Sequence, residues 1–228
     1  MAAAVALAEA GAHVTLCARS LPEITAAADT IHARGGLADV LQLDVTDCEV
    51  VERAIAAAQP FQILVNNAGT NRPKTFTKVS VDDFDFIMNL NVRAAFFLTQ
   101  SVVMRLIAAG LPGSVINITS QMGHVGGINR SVYCASKWAM EGFSRSVALD
   151  LAHYGIRVNT VAPTFIETPL TKPFFEDASF KDYVLSKIKL GRVGRVQDLT
   201  GAIIYLASDA SSLMTGTSMI IDGGWTAE

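Results

Sequence analysis

The stretch Ile63-Leu64-Val65-Asn66-Asn67-Ala68-Gly69 is an apolar run of strand length that ends in small and polar residues. Similar runs alternate along the chain with longer stretches of helical periodicity, which is typical of a doubly wound α/β fold with a parallel sheet between two layers of helices. The predicted strands are His13–Cys17, Ala38–Leu43, Ile63–Asn66, Ser114–Thr119, Arg157–Ala162 and Ser218–Ile221. The predicted helices are Ala2–Ala10, Leu21–Arg34, Asp47–Ala58, Val81–Ala109, Ser131–His153 and Gln197–Ser208.

Length and composition set the class of protein. With 228 residues, of which 50% are hydrophobic and 17% charged, residues 1–228 fit one domain with a sizeable core. The net charge of -3 and the lack of a basic run argue against nucleic-acid binding and against attachment to a membrane surface. The three cysteines have no metal-ligand spacing, so we expect free thiols, no metal site and a cytoplasmic location.

Two features of the sequence bear on secretion and on insertion into a membrane. The apolar opening Met1–Ala10 lacks a basic segment and is interrupted by Glu9, which argues against a signal peptide. No segment offers the roughly 20 uninterrupted apolar residues of a membrane span. The sequence therefore predicts a protein that does not enter a membrane.

Tyr133 and Lys137 stand one helical turn apart, and Ser120 lies thirteen residues upstream of the tyrosine. Such a pair suits general acid/base chemistry, which needs a group that can take up a proton near neutrality. A free tyrosine, with a pKa of about 10, is too weakly ionised, but a lysine charge on the same helical face favours its phenolate. Alone, the pair is a weak signal, because helices routinely place such residues together and Tyr133 also fits a packing role.

Six motifs in order make the chain similar to the short-chain dehydrogenase/reductase family over nearly its whole length. The resemblance implies a Rossmann-like fold and hydride transfer between a nicotinamide cofactor and an alcohol or carbonyl. The motifs are Asn66-Asn67-Ala68-Gly69, Asn91, Ser120, Tyr133-x-x-x-Lys137, Pro163 to Thr168, and Asp222-Gly223-Gly224.

The resemblance also implies catalytic roles for four residues. Tyr133 becomes the general acid/base, Lys137 holds the nicotinamide ribose, Ser120 orients the substrate oxygen, and Asn91 supports a water that links the lysine to solvent. Ser120 also fits a simple cap on the preceding strand. Asn89 remains an alternative to Asn91, because it lies two residues away and is of the same type.

Further residues match the family's cofactor contacts. Asn66, Ala68 and Gly69 follow the third strand, where small residues let the backbone approach the adenine ribose. Asp44 and Val45 match the contact with the adenine. Pro163, Ile166 and Thr168 match the segment that holds the nicotinamide carboxamide. The first set also fits an ordinary strand-to-loop turn, and Asp44 also fits the start of a helix after Thr46. Thr164 stands where many relatives have glycine.

The end of the first predicted strand bears on the choice between NADP and NAD. An acidic residue there would accept hydrogen bonds from the ribose 2'-hydroxyl and repel a 2'-phosphate. The chain has Arg19 and Ser20 instead, a charge-assisted partner and a hydroxyl donor for a phosphate. We therefore expect NADP, with NAD as the alternative if Arg19 is only a solvated loop residue.

The glycine-rich turn that belongs to this kind of fold is absent from the sequence, as is the strand before it. We expect a sheet that lacks about 20 to 25 residues of its first strand-helix unit. This leaves a gap of roughly 9 to 10 Å between the strands at His13–Cys17 and Ile63–Asn66. One alternative is a variant fold with a six-stranded sheet; another is a truncated, non-catalytic member or assembly subunit that binds cofactor poorly.

Substrate and assembly are predicted more coarsely. Three segments, Gln121–Arg130, Thr70–Thr77 and Leu170–Leu190, are expected to surround a small-molecule substrate. They offer His124, Asn71 and Arg72 as polar contacts, each of which also fits a loop residue without a ligand. The motifs resemble gluconate 5-dehydrogenases or 3-oxoacyl reductases. The long Ala-rich helices suit pairing across a two-fold axis, and the resemblance implies a homotetramer.

Overall fold

The computed structural model describes residues 1–169 and 171–227, in which all paired strands run parallel. Two sheets are present, one with the order β1-β2 and one with the order β3-β4-β5-β6. The strands are β1 (His13–Ala18), β2 (Leu37–Gln42), β3 (Ile63–Asn66), β4 (Gly113–Ile118), β5 (Ile156–Pro163) and β6 (Ser218–Ile221). The predicted strands are therefore confirmed to within a residue or two at their ends.

The predicted helices are also present, with one division and one addition. A five-residue π-helical turn, Asn89–Arg93, divides the predicted helix at 81–109 into two. The structure also has a helix at Ala178–Lys187, which the sequence analysis did not predict. The helices are α1 (Ala2–Glu9), α2 (Leu21–Ala33), α3 (Cys48–Ala57), α4 (Val81–Met88), α5 (Ala94–Ala109), α6 (Ser131–Leu151), α7 (Ala178–Lys187) and α8 (Gln197–Ala207).

Helix ends follow local sequence signals. The Asp47 carboxylate accepts a hydrogen bond from the Val50 backbone and starts α3. A reciprocal capping box between Ser80 and Asp83 starts α4. Gly11 follows α1 with φ +96°, a left-handed conformation that glycine adopts without strain.

The four-stranded sheet buries both of its faces, which defines the doubly wound arrangement. Neighbouring residues of β4 point to opposite sides: Val115 packs with Val102 and Leu106 of α5 in one core cluster, and Ile116 packs with Leu206 of α8 in another. Helices thus cover both faces, as predicted.

The two sheets are joined by a helix and by side-chain packing. In the described part of the chain, β1 pairs only with β2 and β3 pairs only with β4, so the predicted unpaired edges are present and a single six-stranded sheet is wrong. Helix α1 packs on β1 and on α8. Its Leu7 joins the same apolar cluster as Val14 of β1 and Val65 of β3.

The helical stretch from Val81 to Ala109 is long and apolar enough, by length and composition, to cross a membrane. In the structure, α5 packs against α3, and α4 packs against α6. The side chains of Val102 and Leu106 in this stretch are fully buried in the core. The predicted absence of a membrane span stays a prediction.

Candidate active site

The candidate site forms where the chain leaves the carboxyl ends of β3, β4 and β5. Gly69 follows β3, Ser120 follows β4, and Thr164 follows β5, while α6 brings Tyr133 and Lys137 to the same edge. Ligands of open parallel sheets bind at this edge, because the loops that leave neighbouring strands meet there. The predicted catalytic residues therefore come together from separate parts of the sequence.

Lys137 is buried, with 6% of its surface exposed, and its Nζ donates a hydrogen bond to the Ile118 carbonyl oxygen at 2.9 Å. Burial lowers the pKa of Lys137 to about 8, and the nearby Glu141 carboxylate acts in the opposite direction. A Cβ placed on Gly69 would lie 3.7 Å from this Nζ. The lysine charge is thus held directly beside the loop that follows β3.

Tyr133 is half-buried, and Lys137 Nζ lies 5.6 Å from the centroid of its ring. Burial raises the pKa of the Tyr133 phenol above its ordinary value, while a hydrogen bond with Ser120 and the charge of Arg130 lower it and Cys134 raises it. Burial thus opposes the expected effect of the Lys137 charge on the phenol, and the expectation that this charge favours the phenolate stays a prediction.

Ser120 is buried and has defined hydrogen-bond partners. Its Oγ accepts from the Met122 backbone at 3.1 Å and donates to Gln121 Oε1 at 2.8 Å. The serine caps the short 3₁₀ turn Gln121–Gly123, which follows it, so the structure shows a cap on this turn and not the suggested cap on the preceding strand. Its hydroxyl also reaches Tyr133, which is the arrangement that the catalytic prediction requires.

Asn91 lies in the π-helical turn between α4 and α5 and is almost fully buried. Its amide accepts from the Thr70 backbone at 2.7 Å and donates to the Thr70 carbonyl at 2.9 Å and to Ser136 Oγ at 3.0 Å. Ser136 Oγ donates in turn to the carbonyl of Tyr133 at 2.7 Å. Asn91 thus ties the loop after β3 to the helix that carries the tyrosine, whereas Asn89 lines an outer groove beside Phe96.

Glu141 is a buried site residue that the sequence analysis missed. Its carboxylate accepts from Thr119 of the β4 end at 2.7 Å, from Thr160 of β5 at 3.0 and 3.1 Å, and from Ser218 of β6 at 3.3 Å. The spacing of four residues from Lys137 places both on one face of α6 and was the available signal. The carboxylate therefore fastens the catalytic helix to three strands.

The loop candidates for substrate contact are mostly engaged within the protein. His124 bonds to Ser218 Oγ at 3.0 Å and lies 3.3 Å from Glu141. The Arg72 guanidinium lies 3.6 Å from the centroid of the Phe86 ring and pairs with Asp83 at 3.5 Å. The side chains of His124 and Arg72 thus anchor their loops. The first residue of the predicted substrate segment Leu170–Leu190 lies outside the residues that the structure describes.

The predicted adenosine end lies at the carboxyl ends of β1 and β2. Arg19 has a side chain that is 79% exposed and lies 3.9 Å from the Asp44 carboxylate. Ser20 is the N-cap of α2, and its side chain makes no capping hydrogen bond. An exposed guanidinium, an uncommitted hydroxyl and the amino end of a 13-residue helix together suit a phosphate.

Asp44 and Val45 have different surroundings. Asp44 accepts from the Thr46 backbone at 2.9 Å and the Thr46 hydroxyl at 2.7 Å, which lowers the pKa of its carboxyl. Asp47 caps the helix that follows, so the alternative that Asp44 starts this helix is wrong. Val45 packs against a core cluster.

The loop after β3 divides into a buried and an exposed part. Asn66 donates both amide hydrogens within the protein, to Thr99 Oγ1 at 2.8 Å and to Asn117 Oδ1 at 2.7 Å. Ala68 and Gly69 are exposed. The side chain of Asn66 thus holds the strand end in place, while the small residues leave the backbone open to a ligand.

The segment after β5 is covered by aromatic residues. Pro163 ends β5, Ile166 pairs with Gly194, and Thr168 Oγ1 lies 3.1 Å from Thr171 Oγ1. The Phe165 ring packs against Phe180 of α7 and against Trp225, with centroids 5.6 and 5.8 Å apart. The segment that contains the three predicted residues is therefore held through Phe165 against α7 and the C-terminal turn.

Comparison with known proteins assigns the family. Residues 1–226 match the family described as "Enoyl-(Acyl carrier protein) reductase" (adh_short_C2). The chain belongs to the short-chain dehydrogenase/reductase family. The chain is similar to D-erythrulose reductase of Gallus gallus, with 34% identity over 98% of this chain and 89% of that protein. It is also similar to the 2-dehydro-3-deoxy-D-gluconate 5-dehydrogenase of Dickeya dadantii, with 37% identity over 98% of this chain and 89% of that protein.

A solved member of the short-chain dehydrogenase/reductase family has the same fold. The gluconate 5-dehydrogenase of Burkholderia cenocepacia, in complex with NADP and tartrate, superposes with a TM-score of 0.95 at 34% identity, over 100% of this chain and 90% of that one. The predicted family and Rossmann-like fold are confirmed. The protein is an oxidoreductase of this family.

Proposed function

We propose that the protein reduces the ketone of a small sugar, polyol or sugar acid with NADPH, and catalyses the reverse oxidation with NADP. The observation that carries the proposal is the joint placement of Ser120, Tyr133, Lys137 and Asn91 at one sheet edge, with the lysine buried and its Nζ 5.6 Å from the centroid of the tyrosine ring. The relatives act on erythrulose and on a deoxygluconate by name, which supports a polyhydroxylated substrate.

The residues at both ends of the site fit an NADP molecule. Arg19 and the free Ser20 hydroxyl at the start of α2 would hold the 2'-phosphate, beside Asp44. Lys137, at the other end, would hold the nicotinamide ribose next to the open backbone of Gly69. The NADP in the Burkholderia cenocepacia structure supports the same cofactor.

The chemistry follows from the state of each side chain. Bound NADPH supplies the hydride that adds to the carbonyl carbon. Tyr133 donates its phenolic proton to the carbonyl oxygen, which receives the electron pair of the C=O π bond, and the phenolate then takes a proton from solvent. Ser120 holds the carbonyl oxygen near the phenol, and Lys137 stabilises the transient phenolate with its charge.

The alternative is a non-catalytic member or assembly subunit that binds cofactor poorly. The placement of the predicted catalytic side chains at one sheet edge argues against it, because an assembly subunit needs no buried lysine beside a tyrosine there. The reductase function is therefore the better supported of the two.

Two measurements on the wild-type chain test the proposed function. NADPH oxidation is followed with erythrulose, xylulose and 5-ketogluconate, and the melting temperature is followed against NADPH and NADH. We expect turnover, and a larger stabilisation by NADPH, since a ligand at a hundredfold excess over its Kd adds about 2.7 kcal/mol. Stabilisation by NADPH without turnover of any ketone would contradict the reductase function but keep NADP binding. The absence of both stabilisation and turnover would contradict NADP binding as well and would favour the non-catalytic alternative.

We also propose a homotetramer in the cytoplasm. The outer faces of α5 and α6 expose Phe96, Met104, Trp138 and Leu149, and apolar surface of this extent suits helix pairing between copies. Free cysteines suit a reducing compartment. Light scattering of the purified protein tests the assembly: a tetramer that Leu149→Asp dissociates supports this proposal, and a monomeric wild type contradicts it.

A further inference from the structure

Buried polar atoms without partners mark the candidate site. Within the described residues, four buried side-chain polar atoms have no hydrogen-bond partner in the protein. Three of them, Asn71 Oδ1, Gln121 Nε2 and Thr164 Oγ1, belong to the segments that follow β3, β4 and β5. Leaving such groups unpaired costs about 1–3 kcal/mol each, so their concentration at one sheet edge points to a ligand that pairs with them.

Gln121 is the best defined of the three. The residue is 1% exposed, and its Oε1 accepts the proton of Ser120 Oγ at 2.8 Å. Its backbone carbonyl accepts from His124 at 2.9 Å and from Val125 at 3.1 Å. The turn that carries it is pressed against α6, since a Cβ on Gly123 would lie 3.1 Å from the Lys137 carbonyl oxygen and 3.1 Å from Glu141 Cγ. The glutamine is therefore held rigidly beside the catalytic serine.

The position of the free donor follows from amide geometry. In a planar amide the nitrogen lies about 2.2 Å from the oxygen, so Gln121 Nε2 lies within about 5 Å of Ser120 Oγ. Because the two protein atoms are this close, a ligand oxygen bonded to Ser120 and a second ligand oxygen bonded to Nε2 can lie about 3 Å apart. Oxygens on adjacent carbons of one molecule meet this condition, as in an α-hydroxy ketone.

We propose that Gln121 is a specificity-determining residue, whose Nε2 donates a hydrogen bond to an oxygen on the carbon next to the reacting carbonyl. The glutamine selects α-hydroxy ketones over ketones that lack the neighbouring oxygen. When such a substrate binds, the Ser120 hydroxyl donates its hydrogen bond to the carbonyl oxygen instead of to Gln121 Oε1. This inference rests on the proposed reductase function and narrows its substrate class.

The test compares substrates that differ by one hydroxyl. NADPH-dependent kcat/KM is measured for 1-hydroxy-2-butanone and for 2-butanone with the wild type, Gln121→Met and Gln121→Glu. Each variant supplies its own ratio of the two values, which does not depend on the fraction of folded enzyme. The glutamate variant keeps an acceptor for Ser120 and removes the donor.

We expect the wild type to prefer the hydroxyketone by about tenfold or more, the effect of one well-placed donor, and both variants to lose this preference. A ratio that stays unchanged in both variants would overturn the inference. A second outcome would also overturn it. In this outcome Gln121→Met keeps the preference for the hydroxyketone over 2-butanone but loses a wild-type preference for ethyl acetoacetate, whose oxygens lie on alternate carbons. Wild-type inactivity with all three carbonyls and also with erythrulose, xylulose and 5-ketogluconate would overturn the proposed function itself.

Discussion

The two sheets support two halves of the site that are built differently. At the ends of β3 to β6, Lys137, Glu141, Ser120 and Asn91 are buried and joined by hydrogen bonds between distant segments. At the ends of β1 and β2, Arg19 is exposed and its ion pair with Asp44 is long, at 3.9 Å. The comparison teaches that a buried network fixes the positions of the proposed catalytic residues, whereas the proposed choice of cofactor rests on exposed charges.

The largest expected effect on stability comes from breaking the buried network at Glu141. Glu141→Ala leaves the Thr160 hydroxyl in the core without its acceptor and Thr119 with only its 3.2 Å bond to the Val161 carbonyl, and we expect a loss of about 3–5 kcal/mol in unfolding free energy. Chemical denaturation measures the loss. The control is Glu49→Ala, which removes an exposed carboxylate and costs less than about 0.5 kcal/mol. Equal losses in the two variants would contradict the proposed difference between buried and exposed charges.

The next effect is the pH dependence of stability due to Lys137. Its pKa is about 8 in the folded protein and 10.5 when unfolded, so between these values the unfolded state binds more protons and stability rises with pH. Below about pH 8 both states are protonated and this contribution is flat. The unfolding free energy of the wild type relative to Lys137→Met should rise by about 2 to 3 kcal/mol between pH 7 and pH 10. A difference that is constant across this range would show that the lysine is not desolvated.

The smallest effect belongs to the exposed half. Arg19→Ala should lower the preference for NADPH over NADH by about tenfold, since a charge-assisted pair with the 2'-phosphate is lost. Unfolding free energy should stay within about 0.5 kcal/mol of the wild type. Arg34→Ala, at the other end of α2, is the matched control and should leave the preference unchanged. The assignment of Arg19 fails if both variants keep the wild-type ratio of the two Kd values.

The two halves also differ in how far the sequence predicts them. Strands and most helices follow from apolar periodicity, and Tyr133 and Lys137 follow from helical spacing. The partners of Glu141 do not, because they come from β4, β5 and β6, far apart in the chain. The raised pKa of Tyr133 was also missed, because its largest cause is burial, which a motif does not reveal. Helix α7 was missed, although the Asp177 cap that begins it is a readable signal.

The central claim is that Tyr133 is the general acid of a working reductase. Its most direct test is NADPH-dependent reduction of erythrulose by Tyr133→Phe beside Tyr154→Phe, which removes a half-exposed hydroxyl outside the site. We expect kcat to fall by about 10²–10⁴-fold in the first variant and to stay near the wild-type value in the second, with NADPH affinity retained in both. Full turnover by Tyr133→Phe would contradict the account.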